Sequence, residues 1–296
     1  MLIAEVLEDG TILDMLRYET RGTGKEEIMQ ILLRGIKEYE ETKGWRNGKR
    51  PDKIGIGING IIDPVEGIWK KLGTETCEIA VKKVIEEALS VKCYVDNDVK
   101  CTVMAENQFG AGRGCRDMIY LNVGTGLAAG IISNGRIIRG TDGFAGEIGF
   151  MNFTEGKGIH VEMLASGMGI RYQAKQLQKE YPESLLSDHI ETGVTGAELY
   201  EAAEKGDALA NRILEQLIRM NSLMITNLTC VLSPEIVVLG GGLFNNKMLL
   251  EKIREAVGEK AKEHLEKGVV LTGLNPAYAG LLGAAAIGLE HQQEYA

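Results

Sequence analysis

The sequence predicts an α/β protein built as two lobes on one repeated plan, and three observations carry that prediction. Apolar stretches of strand length alternate with stretches whose apolar residues recur at helical spacing. One strand–turn–strand pattern occurs twice. Short glycine-rich turns follow several of the strands, and glycine is the compositional outlier, with 38 in 296 residues, nearly double the average share of about 7%. Only five prolines accompany them, which points to tight turns and close backbone approaches rather than to disorder.

In chain order, residues 2–7 and 11–18 read as two antiparallel strands joined at Asp9-Gly10, a hairpin dipeptide. Ile28, Ile31, Leu32, Ile36 and Tyr39 follow helical spacing from Lys25, with Gly44 as a C-terminal cap. Residues 53–58 form a buried strand running into Asn59-Gly60, and an amphipathic helix over about 76–90 leads to a strand at 91–95. Asp96-Asn97-Asp98 follows, then a helix over 99–107.

The second copy starts with a strand at 118–123, a Gly124-Thr125-Gly126 turn, a strand at 127–132, a turn at Asn134-Gly135 and a strand at 136–139. A helical stretch over about 195–232 comes next, followed by a strand at 235–239 that ends in Gly240-Gly241-Gly242. A helix over about 246–266, a strand at 269–271 and a small-residue helix over 279–289 complete the chain. The expected lobes are residues 1–115 and 116–296.

Aligning the copies matches Leu2–Leu13 with Leu127–Ile138, and Leu2/Leu127, Ala4/Ala129, Gly10/Gly135 and Ile12/Ile137 are identical pairs. A whole strand and the Gly-Thr-Gly turn precede Leu127, whereas only Met1 precedes Leu2. The first lobe is therefore expected to lack its opening strand and the turn after it, as a start-truncated product would.

The net charge of −9 repels polyanions and excludes a nonspecific nucleic-acid binder. Five scattered cysteines with no C-x-x-C pair imply reduced thiols in a cytoplasmic protein. No apolar stretch approaches the roughly 20 residues of a membrane span, and no signal peptide is legible.

Among candidate functional residues, Gly124-Thr125-Gly126 could bring backbone N–H groups and a hydroxyl to a phosphate, although any tight hairpin could use the same residues. Gly240-Gly241-Gly242 stands where α/β folds place nucleotides, beyond a strand C-terminus; a plain strand-to-helix turn is the alternative. A carboxylate in Asp96-Asn97-Asp98 could take a proton from a hydroxyl attacking a phosphoryl group, and the same residues suit a helix N-cap. Glu147 and Glu162 could accept hydrogen bonds from sugar hydroxyls or stand as solvated surface acids. His160 has no partners at ligand spacing, and Thr195-x-x-Glu198 is a capping box.

Taken together, these motifs resemble the ROK family of sugar kinases and sugar-responsive repressors. The carriers are Gly55–Asp63, Asn97-Asp98, Ala105–Gly112, Val123–Gly126, Gly140–Gly149, Ala165-Ser166-Gly167 and Val238–Gly242. The resemblance implies a two-lobed actin-like, hexokinase-like ATPase fold. It implies Asp98 as general base, Asn59, Gly60, Asn97, Glu147 and Glu162 as sugar-binding residues, and Gly124–Gly126 with Gly240–Gly242 around ATP and its Mg²⁺. The partners implied are a hexose or N-acetylhexosamine and a nucleotide, with no nucleic acid and no membrane, and a homodimer is a plausible assembly.

The sequence departs from the family pattern in three places. The first phosphate loop, an Asp-x-Gly-Gly-Thr turn, is absent. Phe150 stands where the family has a zinc-ligating His, and Phe153–Val161 replaces its cysteine-rich run, so no structural zinc and no metal ligands are expected. Asn59 replaces a common Pro. Asn97-Asp98 and Gly124–Gly126 favour an active kinase; Phe150 and the missing loop favour a sugar-binding sensor that does not turn over.

Overall fold

The computed structural model describes residues 1–20, 22–73, 75–153 and 158–290. They cluster into two units. The first comprises Met1–Arg113, Arg139–Phe144 and the segment from Gly273 onward; the second comprises Gly114–Ile138 and Ala145–Thr272. These units differ from a contiguous division at residue 115 in two places, and each place has a local cause. Arg139 ion-pairs with Asp96, and the C-terminal helix packs on the first unit.

The first unit opens with β1 (Leu2–Val6) and β2 (Ile12–Arg17), an antiparallel hairpin. Gly10 takes φ +87° at the turn, and Asp9 Oδ1 accepts the Thr11 N–H at 2.9 Å. Helix α1 (Lys25–Thr42) buries Met29, Leu32, Ile36 and Tyr39 in one apolar cluster with Ile3 and Ile56. It ends at Gly44, at φ +70°, whose N–H reaches the Tyr39 carbonyl at 3.2 Å. The left-handed turn there is one that glycine adopts without a Cβ penalty.

Strand β3 (Lys53–Ile58) is followed by an antiparallel meander that the sequence reading missed: β4 (Ile61–Asp63), β5 (Ile68–Leu72) and β6 (Glu75–Ala80). The helix expected from about 76 begins only at Val81 as α2 (Val81–Leu89), because Ile79 pairs with Trp69 in β5. Strand β7 (Lys92–Asn97) lies parallel to β3, with Ile58 opposite Asn97, and α3 (Asp98–Phe109) follows at once.

The second unit contains a five-stranded sheet. Strands β8 (Met118–Val123), β9 (Leu127–Ser133) and β10 (Arg136–Ile137) run antiparallel in sequence. Asn134 and Gly135 both take positive φ, +51° and +75°, as a type I′ hairpin turn requires. Helices α4 (Glu162–Ala165) and α5 (Gly167–Leu177) follow, both missed from sequence; Ser166 Oγ accepts the Gly169 N–H at the start of α5.

The single helical stretch expected over 195–232 divides into α6 (Gly196–Glu204) and α7 (Ala208–Leu232). Gly206 turns at φ +83°, and Asp207 caps α7 through the Ala210 N–H at 2.8 Å. The Thr195–Glu198 capping box is present at the start of α6. Strand β11 (Ile236–Gly240) leads to α8 (Lys247–Ala256), α9 (Glu259–Lys262) and β12 (Val269–Leu271). The helix expected over 246–266 breaks where Val257 and Gly258 turn extended and the Gly258 N–H bonds Thr226 Oγ1 at 3.0 Å.

The sheet order is β10-β9-β8-β11-β12, with β8, β11 and β12 parallel. Helix α10 (Ala279–Glu290) returns to the first unit. A Cβ on Gly55 would stand 1.6 Å from the Ala284 carbonyl oxygen, and one on Gly283 would stand 2.4 Å from the Cys101 carbonyl carbon, so α10 meets β3 and α3 backbone to backbone. In the first unit β1–β2 and β3–β7 form separate two-stranded sheets. Among the described residues, the first unit has no strand at the place that β8 takes in the second.

Candidate active site

Every glycine- or acid-rich motif singled out at a strand end sits at the C-terminal end of a parallel strand, the end where α/β sheets bind ligands. In the first unit the ends of β3 and β7 bring Asn59, Gly60, Asn97 and Asp98 together. Asn97 is the N-cap of α3, its Oδ1 accepting from Val99 N at 2.9 Å and Lys100 N at 3.1 Å. Its Nδ2 donates to the Gly60 carbonyl at 3.0 Å, which holds the two strand ends to each other. Gly60 takes φ +117°, and a Cβ there would meet the Lys71 carbonyl oxygen at 2.0 Å, so only glycine fits. Asn59 is exposed beside it.

Asp98 starts α3, where the helix dipole favours a carboxylate. Its Oδ1 accepts the Val99 N–H at 3.0 Å, and its Oδ2 takes no hydrogen bond from the described residues. Burial pushes the Asp98 carboxyl above its ordinary value; the Val99 N–H and the Lys100 charge pull the other way without cancelling it. A carboxylate with one oxygen anchored, one oxygen open and a raised proton affinity is suited to accept a proton.

Two further groups steady this cluster: Asp96, singled out from sequence only as part of the run Asp96-Asn97-Asp98, and Lys100, which the sequence reading missed. Asp96, 2% exposed, pairs with Arg139 Nε at 2.7 Å and accepts the Asn97 N–H at 2.8 Å. Lys100, 4% exposed, donates to the Gly143 carbonyl at 2.8 Å. Both contacts tie the segment Arg139–Phe144 to the β7–α3 junction across 43 residues of sequence. The glycines and acids of Gly140–Gly149 marked the segment; no local periodicity marks its partner.

In the second unit the ends of β8 and β11 lie side by side, with Gly240 paired to Asn122. Gly241 takes φ +97°, and a Cβ on it would lie 2.4 Å from the Val123 carbonyl oxygen. The Gly124–Gly126 turn closes through Gly124 N to Gly126 O at 3.0 Å. Its Gly124 and Thr125 carbonyls accept from Gly167 and Met168 at the start of α5, at 2.9 and 2.8 Å. A Cβ on Gly124 or Gly242 would meet nothing within 4 Å, so open space borders the backbone of both turns. Paired glycine turns with free space beside them fit the phosphates of a nucleotide.

Glu162 buttresses this turn. Its Oε2 accepts the Leu127 N–H at 2.8 Å, and a Cβ on Gly126 would stand 2.7 Å from that oxygen. Glu147 is half-buried at the start of a short 3-10 turn, Ile148–Phe150. Gly149 follows it, its Cβ position 3.2 Å from Glu162 Oε2.

Phe150 is 55% exposed and meets the His160 ring edge-on, with centroids 5.6 Å apart. Residues 154–157, within the run that replaces the zinc motif, lie outside the described residues. Among the described residues no group of three or more His, Cys, Asp or Glu side chains could hold a metal ion. None of the five cysteines forms a disulfide; Cys93, Cys101 and Cys115 are buried, Cys77 is half-buried and Cys230 is exposed. No helix among the described residues is long and apolar enough to cross a membrane.

A duplicated α/β plan with open glycine turns at one set of strand ends and a partly buried acid at the other is the plan of a two-lobed α/β fold of the kinase type. The ROK family model matches residues 2–291, and the chain belongs to that family. It is 31% identical to a glucokinase of Halalkalibacterium halodurans over 224 residues, 72% of this chain and 66% of that one. It is 28% identical to the xylose repressor of Caldicellulosiruptor bescii over 250 residues, covering 81% of this chain and 62% of the repressor. Among solved structures, a ROK family glucokinase from Streptomyces griseus in complex with glucose and AMPPNP superposes with a TM-score of 0.77 at 27% identity, covering 97% of this chain and 95% of that one. The fold is the two-lobed actin-like kinase fold.

Proposed function

We propose that the chain is an ATP-dependent sugar kinase acting on a hydroxyl of a hexose or N-acetylhexosamine, with Asp98 as the general base. The observation that carries the reading is the Asp98 carboxyl itself, anchored at Oδ1 by Val99, open at Oδ2 and raised in proton affinity by burial. The glucokinase relatives support the chemistry.

In this reading Asp98 Oδ2 accepts the proton of the attacking sugar hydroxyl as the new O–P bond forms and the bond from the γ-phosphorus to the bridging oxygen breaks, releasing ADP. Asn97 and Gly60 fix the position of that carboxylate, and the remaining N–H of Asn97 with Asn59, Glu147 and Glu162 hold other hydroxyls. ATP supplies the transferred phosphoryl group, with Mg²⁺ offsetting its negative charge. The Gly124–Gly126 and Gly240–Gly242 turns of this chain hold the phosphates and the adenosine through backbone N–H groups, so no basic side chain is required there.

A second reading is sugar binding without turnover. The likeness to the xylose repressor and Phe150 in the place of the family's His favour it. A coupled ADP-release assay over a panel of hexoses and N-acetylhexosamines separates the two. Sugar-dependent ADP release supports the kinase; heat of sugar binding by calorimetry with no ADP release supports the sensor.

A further inference from the structure

Helix α7 carries a polar side chain on a deeply buried apolar stripe. Leu217, Met224 and Leu228 stand at helical intervals around position 221 and are buried in the core of the second unit. Asn221 lies among them at 1% exposure. An amide there forgoes the packing of a leucine and needs hydrogen bonds to offset its desolvation. Its Nδ2 supplies two, to the Leu217 carbonyl at 2.8 Å and to the Ala165 carbonyl at 3.1 Å. Its Oδ1 is buried and has no partner among the described residues. The position keeps two donors although the acceptor goes unmatched, so the donors are what the side chain contributes.

Leu217 belongs to the same helix, one turn back, where backbone N–H groups already serve the carbonyls. Ala165 is the last residue of α4, a helix of four residues, and its carbonyl has no partner within that helix. From α4 two paths of hydrogen bonds reach the Gly124–Gly126 turn. One runs through Glu162, the first residue of α4, whose Oε2 accepts the Leu127 N–H at 2.8 Å. The other continues past Ala165: the Gly167 and Met168 N–H groups donate to the Gly124 and Thr125 carbonyls at 2.9 and 2.8 Å. Ser166 joins the paths, its hydroxyl donating to the Glu162 carbonyl at 2.8 Å and accepting the Gly169 N–H at 3.3 Å. Among the described residues, Asn221 is the one side chain of α7 that hydrogen-bonds to α4.

We propose that Asn221 is a positioning residue for the nucleotide: by holding the Ala165 carbonyl to α7 it keeps the Gly124–Gly126 turn in the form that takes phosphate. The assignment rests on the nucleotide reading of that turn given above and adds to it a residue outside both glycine turns. A leucine at 221 suits the stripe around it but removes the donor to Ala165. α4 then loses its tie to α7, and the holds of Glu162, Gly167 and Met168 on the turn loosen with it.

The test compares wild type, Asn221→Leu and Ser222→Ala. Ser222 is the next residue of α7 and also buried, but its hydroxyl bonds the Ile218 and Ile253 carbonyls at 2.8 and 3.3 Å and so turns toward α8. Binding of AMPPNP with Mg²⁺ is followed by calorimetry, and amide hydrogen exchange at Gly167 and Met168 is measured without nucleotide. In Asn221→Leu the AMPPNP affinity should fall about two- to tenfold, the worth of one hydrogen bond, and exchange at both amides should quicken by a similar factor. Ser222→Ala should match wild type in both. Should Asn221→Leu not fold, Asn221→Ser, which also lacks the reach to Ala165, is read the same way. Unchanged AMPPNP affinity in the Asn221 variant overturns the proposal and leaves the nucleotide reading standing. Equal losses in the Asn221 and Ser222 variants overturn it by showing a general loosening of α7, and a fall in affinity without faster exchange overturns the route through Gly167 and Met168. Wild type that binds no AMPPNP removes the nucleotide reading and the proposal with it.

Discussion

The carbonyl oxygen of Val123 lies 2.4 Å from where a Cβ on Gly241 would stand, and Gly241 itself is at φ +97°. The β8 and β11 turns are therefore fitted to each other at van der Waals limits, and glycine is obligatory at 241 for both backbone and space. Gly124, by contrast, has nothing within 4 Å of a Cβ.

The two glycines should separate folding from nucleotide binding. Gly241→Ala should lower stability by roughly 1–3 kcal/mol from backbone strain alone, with more from the clash. Gly124→Ala should shift Tm by less than about 2 °C while raising the KM for ATP. Thermal melts beside ADP-release kinetics check both. A large Tm loss in Gly124→Ala with KM unchanged would mean that the space beside it holds no phosphate.

Arg139→Ala leaves the Asp96 carboxylate buried without its cation. The expected cost is about 3 kcal/mol, typical of breaking a buried pair from one side. Urea unfolding measures it. Asp96→Asn combined with Arg139→Ala should recover part of the loss, because no charge then remains unpaired.

Asp207 gives the stability a pH dependence of known sign. Burial alone would raise its carboxyl, but N–H groups of Ala210 and Leu185 and the Ser184 hydroxyl, at 2.7–2.9 Å, hold it below its ordinary value. Its contribution is therefore full above the unfolded value of about 3.9 and is lost as pH falls through that value toward the lower folded one. Asp207→Asn should cost about 1.5–3 kcal/mol at pH 7, and the gap to wild type should narrow at pH 3. Urea titrations at both values check it.

Much of this fold is legible in sequence where the signal is local. Asp9-Gly10 and Asn134-Gly135 mark their hairpins because Gly10, Asn134 and Gly135 take the positive φ those turns need and Asp9 Oδ1 accepts the Thr11 N–H, and Thr195–Glu198 marks its helix start. The β4–β6 meander is not legible, because Ile61–Asp63 is too short to show alternation and Ile79 reads equally as helix or strand until Trp69 pairs with it. The strand-end positions of Asn97, Asp98, Gly124 and Gly240 follow from apolar runs that stop at polar or glycine residues. The Asp96–Arg139 pair and the Glu162–Leu127 contact join residues 43 and 35 apart, and nothing local encodes them.

The raised proton affinity of Asp98 sets the acid side of the rate profile. A general base works deprotonated, so kcat/KM should fall as pH drops through a value above the ordinary 3.8 of an aspartate. A rate that stays flat down to about pH 4 would contradict the raised value. The same burial penalises the charged form in the folded state, so Asp98→Asn should melt no lower than wild type at pH 7.

The most direct measurement of the central claim is sugar-dependent ADP release by wild type and Asp98→Asn side by side, with sugar binding followed by calorimetry. ADP release should fall by about 10²- to 10⁴-fold in Asp98→Asn while sugar still binds the variant. Equal ADP release from the two proteins would contradict Asp98 as the base.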